Sequence, residues 1–128
     1  MKKQRPVNIE YITILTTIKW PIAAISSILH RISGVIAIFA VGVLLWTLSL
    51  SLSSAEGFSQ VESLLDGIFF KLIIIGILSA LIYHLLGGIR HLLMDLGHFE
   101  EKESGSASAK LVVVLWLILT IVVGVNLW

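Results

Sequence analysis

Four side chains recur down one line of the sequence: His84, Gly88, His91 and Asp95, at steps of four, three and four. On a helix that spacing places them on one face, in a stretch whose other positions are mostly apolar. Two imidazoles and a carboxylate can ligate metal, carry protons or hydrogen-bond a partner. In apolar surroundings they destabilise the chain unless each finds such a partner. A second set, Ser27, His30, Arg31 and Gly34, shares a face by the same three- and four-residue logic. It offers a hydroxyl, an imidazole and a permanent cation. Taken singly, Arg31 reads as a snorkelling interfacial cation, Ser27 as a small packing residue and His30 as a hydrogen-bonded interface histidine. Together on one face they also describe a polar pocket.

The elements that carry these residues are set by composition. The chain has 128 residues, 57% of them hydrophobic and 13% charged, with no cysteine; its mean hydropathy is +1.00. That is too apolar for a water-soluble domain of this size. Hydropathy predicts an all-α integral membrane protein with three transmembrane helices, over 21–52, 68–96 and 111–128, each long enough to cross ~30 Å of hydrocarbon. Residues 1–20 are expected as a cytoplasmic segment, 53–67 as a short periplasmic loop and 97–110 as a flexible cytoplasmic loop rich in Gly, Ser and Ala. Trp20 marks the membrane interface and Pro21 the start of the first span. The third span has no ionisable side chain and reads as structural.

The absence of cysteine removes disulfides, cysteine-ligated iron–sulfur clusters and thiolate chemistry. An electron carrier in this chain must therefore be held by histidine. His84, followed by Gly87 and Gly88, fits either an interhelical hydrogen bond or an axial haem ligand. The glycines let another helix approach, or leave room for a flat ligand. His91 and Asp95, one turn apart, are accounted for by a paired helix end, and His98 by a solvated loop. There is no phosphate-binding glycine loop, no zinc spacing and no nucleophile beside a base. The chain reads as a subunit of something larger, not as an enzyme on its own.

Counted from outer ends assumed level, His30 lies about 22 residues or ~33 Å inward from Leu52 and His84 ~24 Å inward from Ile68. This places the two histidines nearly two turns apart in depth, too far for one iron.

Three stretches carry a family resemblance: Arg5-Pro6, the run Ser27-Ile-Leu-His30-Arg31-Ile-Ser-Gly34, and the run His84-Leu-Leu-Gly-Gly88-Ile-Arg90-His91-Leu92-Leu-Met-Asp95. In this order the chain resembles, over nearly its whole length, the cytochrome b membrane-anchor subunit of succinate dehydrogenase, respiratory complex II. The resemblance implies a bundle shared with a second small membrane-anchor subunit, holding a flavoprotein subunit and an iron–sulfur subunit on the cytoplasmic face. It implies a haem b lodged between the two anchors, with His84 as one axial ligand, the other from the partner anchor, and His30 and Arg31 near the propionates. It also implies that Ser27 and Arg31 belong to a ubiquinone-reduction site. The residues alone leave open a haemless structural anchor for an extrinsic redox complex and a proton- or ion-conducting subunit.

Lys2, Lys3, Arg5 and Lys19 precede the first span, Arg90, Lys102 and Lys110 flank the second connection, and 51–70 has no Lys or Arg. The distribution predicts a cytoplasmic N-terminus and a periplasmic C-terminus in a bacterial inner membrane, with no cleavable signal. The cysteine-free background allows a direct check. A cysteine at Ser54 is expected to react from the periplasm with an impermeant thiol reagent, and one at Ser106 only after the membrane is opened; periplasmic labelling at Ser106 contradicts the orientation.

Overall fold

The structure, a computed structural model, describes residues 19–128. The expected N-terminal segment and its Lys2, Lys3 and Arg5 lie outside the described residues. Four helices follow one another: α1 (Ile22–Ser53), α2 (Ala55–Asp66), α3 (Ile68–Asp95) and α4 (Lys102–Leu127). Three of them, α1, α3 and α4, are long and apolar enough to cross a membrane, and the protein is a multi-pass, all-α membrane protein. With 32, 28 and 26 residues they run beyond the hydrocarbon layer at one or both ends. Pro21 sits at the N-cap of α1, where its missing N–H breaks no helical bond.

Small residues let the helices approach. The buried positions of α1 are Ser26, Ser33 and Ala40, seven residues apart, and those of α4 include Gly105, Ser108 and Ala109. Lipid and side chain are equally apolar, so membrane helices associate through close packing and interhelical hydrogen bonds instead of a hydrophobic drive. The bonds are present. Tyr83 Oη donates to the carbonyl and the hydroxyl of Ser26, both at 3.2 Å. Trp116 Nε1 donates to Ser79 Oγ at 2.9 Å, and Ser79 Oγ meets Thr120 Oγ1 at 3.1 Å. Tyr83 and Trp116 touch edge to face, with ring centroids 5.4 Å apart. This chain of contacts ties α1, α3 and α4 in one layer of the bundle. Outward, Ile38, Phe39 and Phe69 are more than 70% exposed, so much of the apolar surface is left for lipid or other subunits.

Two connections differ from the sequence expectation. The first connection, 53–67, is not a simple loop: the 12 residues of α2 within it are helical. Ser54 caps that helix by accepting from Gly57 N–H at 2.9 Å, and Gly57 packs against the Leu50 carbonyl so closely that a Cβ would collide with it. Helix α4 starts at Lys102, nine residues before the apolar run, so much of the expected flexible loop is helix. The reason is tertiary. Arg90, only 5% exposed, donates from Nε to Ser108 Oγ at 2.9 Å and from Nη2 to the Gly105 carbonyl at 3.1 Å, clamping the first turns of α4 to α3. The turn between them is compact. Gly97 has φ +83°, His98 N–H bonds the Leu93 carbonyl and Gly97 N–H the Met94 carbonyl, which closes α3 in a Schellman motif. At the other end of the bundle Lys71 Nζ lies 5.6 Å from the ring centroid of Trp128.

Candidate cofactor-binding site

Helices α1 and α3 cross with a reciprocal fit of histidine against glycine. A Cβ added at Gly34 would lie 2.9 Å from His84 Cε1, and one added at Gly87 would lie 2.7 Å from His30 Cδ2. Each helix thus supplies one ring and one gap. The rings of His30 and His84 lie parallel, 4.4 Å between centroids and 4° between planes. His91, two turns along α3 from His84, also meets the His30 ring, tilted, at 4.9 Å between centroids and 47° between planes. The structure gathers three imidazoles where the sequence placed two on one helix and one elsewhere.

This overturns the expected depth difference. His30 and His84 are level, because α1 overshoots α3 at the end next to α2 by about seven residues, ~10 Å, and α2 takes up the difference. Their stacking still keeps them from gripping one iron from opposite sides. An imidazole lone pair lies in the plane of its ring, and two parallel stacked rings keep theirs in separate parallel planes.

His84 is held from α1. Its Nδ1 lies 3.2 Å from the His30 carbonyl oxygen and 3.2 Å from Ser33 Oγ, while Ser33 Oγ donates to that same carbonyl at 2.8 Å. A carbonyl can only accept, so Nδ1 carries a proton, and in the neutral ring the lone pair is on Nε2, where a metal could take it. His30 Nε2, in contrast, is buried without a hydrogen-bond partner among the described residues. Ser27 is half-buried and Arg31 exposed, one turn apart on α1. Asp95 is exposed beyond His91. Among the described residues no three carboxylate or imidazole groups converge to hold a bare metal ion.

Sequence reasoning missed Ser33 and Tyr83. Ser33 stands seven residues from both Ser26 and Ala40, a small-residue period that marks the face toward α3. Tyr83, directly before His84, carries the hydroxyl that reaches Ser26 on that face.

The interlock makes a prediction about glycine. Gly42, with nothing within 4 Å of an added Cβ, is the control. Gly87→Ala forces the His30 ring or α1 aside and is expected to lower the thermal stability of the detergent-solubilised protein by about 1–3 kcal/mol relative to Gly42→Ala. Equal stability of the two variants contradicts the interlock.

The profile of the family described as succinate dehydrogenase/fumarate reductase transmembrane subunit matches residues 1–123. The succinate dehydrogenase cytochrome b556 subunit of Coxiella burnetii is 39% identical over 130 residues, all of both chains. The protein of the same name from Paracoccus denitrificans is 31% identical over 85% of this chain and 86% of its own. That from Rickettsia felis is 32% identical over 87% of this chain and 86% of its own. With three apolar helices and a match over nearly its full length, the chain belongs to the succinate dehydrogenase/fumarate reductase transmembrane subunit family.

Proposed function

We propose that this chain is the cytochrome b anchor of a bacterial succinate dehydrogenase, which shares a haem b with a second small anchor, contributes to ubiquinone reduction, and holds the flavoprotein and iron–sulfur subunits at the cytoplasmic face of the inner membrane. The observation that carries the reading is the bond from His84 Nδ1 to the His30 carbonyl, which selects the neutral tautomer with its lone pair on Nε2 in a glycine-lined crossing. Metal-binding histidines characteristically donate their other N–H in this way.

The residues fit a haem. Nε2 of His84 would be one axial ligand, and the second would come from the partner anchor. The buried, unpartnered His30 Nε2 is suited to a haem carboxylate, with Arg31 one residue further along the same helix. Bound there, haem supplies a one-electron carrier inside the membrane. The chain's own work is to hold His84 in one tautomer and to offer hydrogen bonds to the carboxylates.

Ser27 and Arg31 supply the quinone side. Lying one turn apart, they can present a hydroxyl and a guanidinium to one head group. The serine donates to a quinone oxygen, and the arginine stabilises negative charge that develops there on reduction. Their place at the start of α1, before the long apolar run from Ile32, keeps the cation out of the bilayer centre, near water and an extrinsic electron donor. The isoprenoid tail of the quinone remains in lipid.

Loss of a charge-assisted hydrogen bond of ~1.5–3 kcal/mol slows a step by roughly ten- to a hundredfold. In assembled complexes, Ser27→Ala and Arg31→Lys are therefore expected to reduce quinone reduction per haem by that factor, while succinate oxidation by an artificial acceptor is retained. Normal quinone reduction in both variants contradicts the quinone assignment.

A further inference from the structure

Ser33 is, with Ser26, one of the two buried serines of α1. It is 5% exposed, so its hydroxyl is committed to protein. A serine bonded to a carbonyl three residues back on its own helix is a common local arrangement with no further meaning. Here the accepting carbonyl is that of His30, and both oxygens face the same atom of another helix, His84 Nδ1. One turn of α1 thus presents two acceptors to one N–H. Gly34, the next residue, supports the edge of the ring at Cε1. Turning Nδ1 away from this turn of α1 would lose both acceptors, and a side chain at position 34 would collide with the ring.

We propose that Ser33 is a positioning residue for His84: its hydroxyl fixes the plane of the imidazole and raises the electron-donating strength of Nε2. The proposal rests on the reading of His84 as an axial haem ligand. An imidazole whose N–H is shared between two acceptors is more basic at its other nitrogen, and a more basic ligand favours ferric over ferrous iron. Ser33 therefore holds the reduction potential of the haem down, and it does so without touching the iron. The orientation it imposes reaches the spectrum as well, since the relative planes of the two axial imidazoles set the anisotropy of the low-spin ferric signal.

The test uses the whole complex with Ser33→Ala, which removes one atom and adds none, and with Ser33→Thr, which keeps a hydroxyl. Haem content per flavin, the midpoint potential from a redox titration, and the largest g-value of the ferric haem are measured in each. Ser33→Ala is expected to retain haem, to shift the ferric–ferrous equilibrium about two- to tenfold toward the reduced form, the range of one net hydrogen bond, and to move the g-value. Ser33→Thr is expected to restore both. A merely structural serine would change stability or haem content and leave potential and g-value together where they were. An unchanged or lowered potential in Ser33→Ala at full haem occupancy overturns the proposal while leaving His84 as a ligand. A wild-type complex without a bis-histidine haem overturns the ligand reading beneath it as well.

Discussion

The crossing of α1 and α3 depends on a mutual exchange of ring for gap. His30 occupies the space above Gly87, His84 the space beside Gly34, and the helices meet at the level where both contacts are made. Register follows from this. A shift of either helix by one turn would bring imidazole against imidazole edge, or against a Cβ-bearing residue, and would break the bond from His84 Nδ1 to the His30 carbonyl. The Tyr83–Ser26 bond and the Trp116–Ser79–Thr120 contacts hold the same register one layer along and extend it to α4. In a medium that gives helices no hydrophobic reason to associate, such directional contacts select one packing among many.

That register has a functional consequence. It commits one nitrogen of His84 to the protein and frees the other. It also sets His30, whose Nε2 has no protein partner among the described residues, next to the same crossing. Under the function proposed above, the one imidazole of this chain that would hold the haem is His84, aimed by its bond to α1. Ser27 and Arg31 belong to the same helix, Ser27 half-buried and Arg31 exposed.

The three spans were legible because a run of twenty apolar residues has few other uses. The paired sets on α1 and α3 were legible from periodicity, though not the contact between them, because periodicity orders residues around one helix and says nothing about how two helices slide. The depth argument failed at this point: equal outer ends were assumed, and α2, whose mixed composition reads as a loop, absorbs the offset. The start of α4 was hidden for a related reason. Its Gly and Ser residues have modest helix preference, and their smallness becomes an asset only when Arg90 and the face of α3 are already present to pack against. Ser33 was overlooked because a serine in a membrane helix normally satisfies itself on its own backbone, and only the three-dimensional fold shows a second atom within its reach.

The central claim is that His84, aimed by α1, is an axial ligand of a haem whose other ligand lies in another subunit. It is tested most directly by the low-spin ferric haem signal of the assembled complex in His84→Ala and His30→Ala variants. The account predicts that the bis-histidine signal is lost or severely weakened in His84→Ala and that bis-histidine ligation persists in His30→Ala. Retention of bis-histidine ligation in His84→Ala, with its loss in His30→Ala, would contradict it.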